Sequence, residues 1–161
     1  MADYFWDMGI DWKAVQPLNG LSYLLTGLAT IQGAPAVPVL NQGDTITFRI
    51  FDVTHDTLTP HVAAIESFVI NTAAAVQDQT AGVPFSTLQP LFLNTPDVAI
   101  PLNTAFPHPL RSWTSQAIPG PVKVIVPEGR FLLGFQTQAL GEDTTSRTFA
   151  HDPEMIIGEH G

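Results

Sequence analysis

The chain has 161 residues, one domain's length, of which 45% are hydrophobic and only 13% charged, about half the usual quarter. Fifteen acidic residues against six basic ones give a net charge of −9, so neither nucleic-acid phosphates nor an anionic membrane surface is an expected partner. With no cysteine, disulfides, iron–sulfur clusters, thiol catalysis, Cys-ligated zinc and the thiolate copper site are excluded.

Fourteen prolines and twelve glycines predict many short elements joined by turns rather than long helices. The acidic N-terminal stretch 1–16 has room for one helical turn, with Phe5, Trp6 and Trp12 packing onto the body of the domain. It has neither the positive start nor the apolar core of a signal peptide, and no apolar run reaches the roughly 18 residues that span a bilayer. The expected location is therefore cytoplasmic. After an Asn19–Gly20 turn, SYLLTGLATI (22–31) is apolar almost throughout and reads as a strand. GDTITFRIFDV (43–53) alternates, with Ile46, Phe48 and Ile50 on one face and Thr45, Thr47 and Arg49 on the other, as a half-buried strand requires. Its phase slips at Ile50–Phe51, which predicts a bulge.

HVAAIESFVI (61–70) mixes helix-favouring alanines with Phe68, Val69 and Ile70, and is read as a strand. Residues 94–121 contain Pro96, Pro101, Pro107, Pro109, Pro119 and Pro121. Proline lacks an N–H and restricts its predecessor, so a long irregular surface crossing with no more than edge strands is expected there. VKVIV (122–126) and RFLLGFQTQAL (130–140) read as strands around a turn in which Gly129 takes positive φ. In the second, Phe131, Leu133 and Phe135 share a face opposite Leu132, Gln136 and Gln138. A polar loop at 140–146 follows. SRTFAHD and EMIIG then form two short strands around Pro153, with Asp152 placed to accept backbone N–H groups. These elements predict one all-β domain over residues 1–161, an antiparallel β-sandwich of seven to nine strands, immunoglobulin-like or jelly-roll-like.

Chemistry-bearing residues are scattered. In FDVTHDTLTPHV, His55, Asp56 and His61 would offer two imidazoles and a carboxylate to a divalent transition metal. Their spacing matches no compact ligand motif, so loop histidines are the expected reading and no cofactor or metal is assigned. The Gly–Asp strand ahead of a histidine has a cupredoxin-like pattern, but without cysteine only a non-blue copper site on histidine and Met155 would remain. Asp44, Glu66 and Glu128 lie on unrelated segments, and neither a G-x-S-x-G elbow nor a phosphate-binding glycine motif occurs. No catalytic residue is assigned, and an enzyme is not expected. Trp113, beside Arg111, would line a groove for a sugar or other small molecule, or else seat the proline-rich crossing as a plug. The Tyr4–Phe5–Trp6 cluster would dock onto a neighbouring subunit. His108 and His151 stand apart from these groups.

Three segments carry a family likeness. Gly43, Asp44, Ile46, Phe48 and Arg49 form a Gly–Asp–x–[IV]–x–[FW]–R strand, EGRFLLGFQTQAL gives a glycine-led aromatic strand, and Phe149, Asp152, Pro153, Ile156 and Ile157 close the chain. In these the chain resembles the AidA/PixA inclusion-body protein family, which usually has Trp directly before Asp–Pro where this chain has His151. The resemblance implies a bacterial β-sandwich protein able to accumulate in inclusions, and it implies no catalytic residues. Low charge and this resemblance together lead to an expected function by self-association as a homo-oligomer, or by binding a partner or ligand. The alternative is a lectin- or cupredoxin-like module for a small molecule, glycan or metal using His55, His61, His151 or Trp113.

Overall fold

The structure is a computed structural model that describes residues 1–13, 21–23, 25–29, 39–54, 61–74, 84–86, 90–92, 95–99, 110–116, 121–151 and 154–158. Strands account for all of its regular structure, and no helix occurs among the described residues. In chain order they are β1 (Asp3–Ile10), β2 (Leu21–Tyr23), β3 (Leu25–Ala29), β4 (Val39–Leu40), β5 (Thr45–Asp52) and β6 (Val62–Ala74). Then follow β7 (Leu91–Phe92), β8 (Asp97–Ala99), β9 (Leu110–Gln116), β10 (Val122–Lys123), β11 (Gly129–Gly141), β12 (Ser146–His151) and β13 (Glu154–Ile157). The described residues are assigned to thirteen strands, of which β2, β4, β7, β8, β10 and β13 have only two to four residues each.

Seven strands form one sheet in the order β3-β1-β5-β9-β7, with β10 also beside β5 and β8 also beside β9. Six form the other. There β11 pairs with β6 along one edge, while β12 and β13 lie end to end along the opposite edge, flanked in turn by β2 and β4. Among the described strands neither sheet closes into a barrel.

Both sheets are mixed, which corrects the expected antiparallel arrangement. β1 runs parallel to β5, β2 to β12 and β4 to β13. Parallel neighbours require the chain to return to its starting end. Between β1 and β5 it does so through residues 11–44, leaving β2 and β4 on one sheet and β3 on the other.

Alternation sets which side chains turn inward. Along β1, Trp6, Met8 and Ile10 are buried; along β5, Ile46, Phe48 and Ile50; along β11, Phe131, Leu133, Phe135, Thr137 and Ala139. Aromatic contacts join the sheets face to face: Trp6 meets Phe135 edge-on at 5.0 Å between centroids, and Phe48 meets Phe135 at 5.7 Å and Phe68 at 5.5 Å. Burial of this kind is worth about 25 cal/mol per Å² of apolar surface and supplies the main force that holds the sheets together.

Five local expectations change. Stretch 1–16 contains no described helical turn: residues 3–10 form an interior strand, because Tyr4, Trp6, Met8 and Ile10 alternate with Asp3, Phe5, Asp7 and Gly9. SYLLTGLATI divides between β2 and β3, which belong to different sheets. No bulge interrupts β5 against β1, whose register runs unbroken from Asp3↔Thr45 to Ile10↔Asp52. Phe51 instead turns to the other face and is buried in a second small cluster with Val53 and Leu110. Within 94–121, the proline-free run Leu110–Gln116 forms β9, an interior strand paired with β5 on one side and with β7 and β8 on the other. VKVIV contributes only the two residues of β10, in the other sheet from β11, so the turn between them crosses sheets; Gly129 there has φ +147°.

Candidate functional site

The loop between β5 and β6 was the strongest metal candidate. His55 and Asp56 lie outside the described residues. His61 is half-buried, and its backbone N–H donates to Asp52 Oδ2 at 3.0 Å. The same oxygen accepts the Val62 N–H at 2.9 Å, while Oδ1 accepts the Thr54 N–H at 3.2 Å and hydroxyl at 2.6 Å. Asp52 is buried and serves as a four-bond clasp joining the end of β5 to the start of β6. Sequence reading missed it, although an aspartate two residues before a threonine is a common turn signal. Asp44 acts similarly at the other end of β5, accepting from Ala2 N at 2.7 Å and Asn41 N at 2.8 Å. Among the described residues no three His, Asp or Glu side chains are grouped to hold a metal ion.

The other candidates separate. Glu66 sits on β6 and accepts the Ser146 hydroxyl at 2.6 Å; Glu128 lies exposed in the turn before β11. His108, Asp152 and the side chains of His151 and Met155 lie outside the described residues. Of Tyr4–Phe5–Trp6, Trp6 belongs to the interior, and Phe5 lies on the outward face beneath the Arg49 guanidinium, 4.1 Å from its ring. Tyr4 is partly buried against the core, and that burial, helped by the charge of Asp44, raises its phenol above the usual pKa.

Trp113 does not line a groove. It is 1% exposed and part of the main core, opposite Ile50 in register. Its indole Nε1, that of Trp6 and the hydroxyl of Thr137 are buried with no hydrogen-bond partner among the described residues. Across the two sheets Trp6 lies against Phe135, and Trp12 lies close to Gly141.

The surface offers a different kind of site. Arg49, Arg111 and Arg147 are each engaged by the fold itself. Arg49 forms two bonds of 2.6 and 2.7 Å to Asp7; Arg111 bonds Val62 O and Glu142; Arg147 bonds Trp12 O and lies 4.3 Å over its ring. On the six-stranded sheet the outward residues of β11 run Arg130, Leu132, Gly134, Gln136, Gln138. Beside them on β6 stand Asn71, Val69 and Ser67, and on β12 stand Ala150 and Thr148. From Leu132 to Gln138 the residues named on β11, β6 and β12 carry no charge, and Glu154 of β13 stands opposite Leu132 at the end of this run. Leu132 is 49% exposed, and Val39 on the flanking β4 is 47% exposed, in the register row that runs through Ile156 to Arg130.

Comparison with protein-family models and with curated proteins gives no match.

Proposed function

We propose that this is a non-enzymatic β-sandwich protein of the immunoglobulin-like or jelly-roll-like kind, which works as a homo-oligomer through the outer surface of its six-stranded sheet. The observation that carries the reading is that surface: uncharged along β11 from Leu132 to Gln138, with Leu132 and Val39 each about half exposed, on a chain of net charge −9. Copies of an acidic protein repel one another wherever their carboxylates face, and they approach at least cost where both surfaces are neutral. The three sequence segments that resemble those of the AidA/PixA inclusion-body proteins point the same way and suggest a bacterial, cytoplasmic protein that assembles at high concentration.

Size-exclusion chromatography with light scattering, over a wide concentration range and in low and high salt, tests this directly. A mass that rises with concentration, more readily when salt screens the net charge, is expected. A strict monomer under every condition would overturn the reading.

A second reading, an interior site for a small molecule, is favoured by the Thr137 hydroxyl and the Trp113 Nε1, each buried in the core with no hydrogen-bond partner among the described residues. Native mass spectrometry of the purified protein should then reveal a bound small molecule that denaturation releases.

A further inference from the structure

At one end of the outer surface of the six-stranded sheet, register sets four residues into a cell. Arg130 of β11 stands opposite Ile156 of β13, and two residues along, Leu132 stands opposite Glu154. Residues opposite each other in an antiparallel pair share a face, as do residues two apart on one strand. All four therefore belong to the outer face on which Arg130 and Leu132 are exposed. Ile156 is half-buried there, and the exposed Val39 of β4 stands beside it. The corners alternate in kind: two charges of opposite sign occupy one diagonal, and two apolar residues occupy the other. The cell is thus neutral, on a chain of net charge −9 in which fifteen acidic residues face six basic ones.

We infer that this cell is where a second copy of the chain docks, face to face, about a two-fold axis that lies between the two sheets along the Leu132–Ile156 diagonal. This rests on the self-association proposed above and locates its contact. Such an axis sets Leu132 against the partner's Leu132 and Ile156 against the partner's Ile156. It also brings Arg130 over the partner's Glu154, and Glu154 over the partner's Arg130. Strands lie about 4.8 Å apart, and residues of one face about 6.8 Å apart along a strand. Turning the cell over its apolar diagonal therefore leaves each charged position within about 3 Å, in the plane of the sheet, of the position of opposite charge. The strands of the two copies then cross at about 70°, nearer the orthogonal than the aligned packing of sheets. Val39 falls beside the partner's Ile156 and widens the apolar contact. Two features favour a second copy over a foreign protein. A two-fold contact needs a patch complementary to itself, and one diagonal of opposite charges with one of apolar residues supplies it. Around the axis arginine and glutamate alternate, so each cation has an anion on both sides whatever bond it makes within its own chain.

The test has two arms, both on the full chain. Arg130→Glu makes both charges of the cell negative, and Glu154→Arg makes both positive. Light scattering should show each variant alone associating at least about tenfold more weakly than the wild type, because like charges then meet. An equimolar mixture of the two should regain association. Lys123→Glu, at an exposed position on β10 in the other sheet, makes the same change in net charge as Arg130→Glu and should associate as the wild type does. Cross-linking provides the second arm and depends on no charge variant. The chain has no cysteine, so a short bis-maleimide should trap Leu132→Cys as a dimer and leave Gln138→Cys, six residues along the same face, untrapped. A wild type that never associates would sink the self-association reading itself. If the wild type associates, three results would each overturn this contact and leave self-association standing: single charge variants that associate undiminished, a mixture that stays dissociated, or Gln138→Cys trapped in place of Leu132→Cys.

Discussion

Replacing Thr137 with valine should make the protein more stable, an unusual direction for a core substitution. Thr137 is fully buried on β11, between Phe68 of β6 and Phe149 of β12, and its hydroxyl has no partner among the described residues. A buried hydroxyl without a bond carries a desolvation penalty of about 1–3 kcal/mol. Valine keeps the β-branched shape that the strand accommodates and exchanges the hydroxyl for a methyl group. A gain of about 1.5 kcal/mol is expected. With a urea slope of about 2 kcal/mol/M this moves the unfolding midpoint up by roughly 0.7 M, and it raises Tm by about 4 °C for a chain of this size. Equilibrium urea unfolding, followed by tryptophan fluorescence with the slope held as a check on two-state behaviour, measures it. A loss of more than about 0.5 kcal/mol would refute the reasoning. It would mean that the hydroxyl is bonded to something inside the domain, and would shift weight to the interior-ligand reading.

Asp52→Ala removes the acceptor from three backbone N–H groups and one hydroxyl; a loss of about 3 kcal/mol is expected, with faster hydrogen exchange at His61 and Val62. Two glycines separate crowding from backbone strain. A Cβ on Gly141 would lie 2.4 Å from Trp12 Cζ2 and 2.5 Å from Asp143 Oδ1, so Gly141→Ala should cost about 1–3 kcal/mol by overpacking. Gly43, at φ +95°, would bring a Cβ no closer than an ordinary contact of 4.0 Å with Met1 Cε, so Gly43→Ala should cost about 1–2 kcal/mol from conformation alone, and asparagine there should recover part of it. The Thr145 hydroxyl, then its backbone N–H, hold the Asp143 carboxyl below its ordinary pKa of 3.8. This contribution is present above that value and lost as pH falls through the lower folded one, and in Thr145→Val an NMR titration of Asp143 should move back up. Burial, then the charge of Asp44, raises the Tyr4 phenol above 10.0. Its stabilisation is full below pH 10.0 and declines as pH rises through the folded value, a decline that Tyr4→Phe should reduce in alkaline unfolding curves.

Strands with one wet face were legible in the sequence because their signal is local. Ile46, Phe48 and Ile50 alternate with Thr45, Thr47 and Arg49, and Phe131, Leu133 and Phe135 oppose Leu132, Gln136 and Gln138, as the structure has them. The two strand pieces around Pro153 also stand where proline spacing placed them, as β12 and β13 on one edge of β11. β1 has the same alternation, but there its polar positions are acidic, and Asp7 is the direct register partner of Arg49 in the parallel pair. Candidate sites were less legible. Trp113 next to Arg111 suggested a ligand groove, yet on β9 the two residues serve separate ends, one in the core and the other bonded to Val62 O and Glu142.

The amino-acid sequence alone determined an all-strand chain without cysteine, low in charge, with the inward faces of β5 and β11 marked residue by residue. Each of these follows from composition or from a period of two. Only the tertiary structure decided that β1 lies parallel to β5, that neighbouring β2 and β3 part into different sheets, that β9 runs inside the sheet between β5 and the pair β7 and β8, and that β11 is shared by β6, β12 and β13. These are pairings between residues tens of positions apart, and the energy that selects among them comes from whole faces fitting together. No short stretch of sequence contains that information.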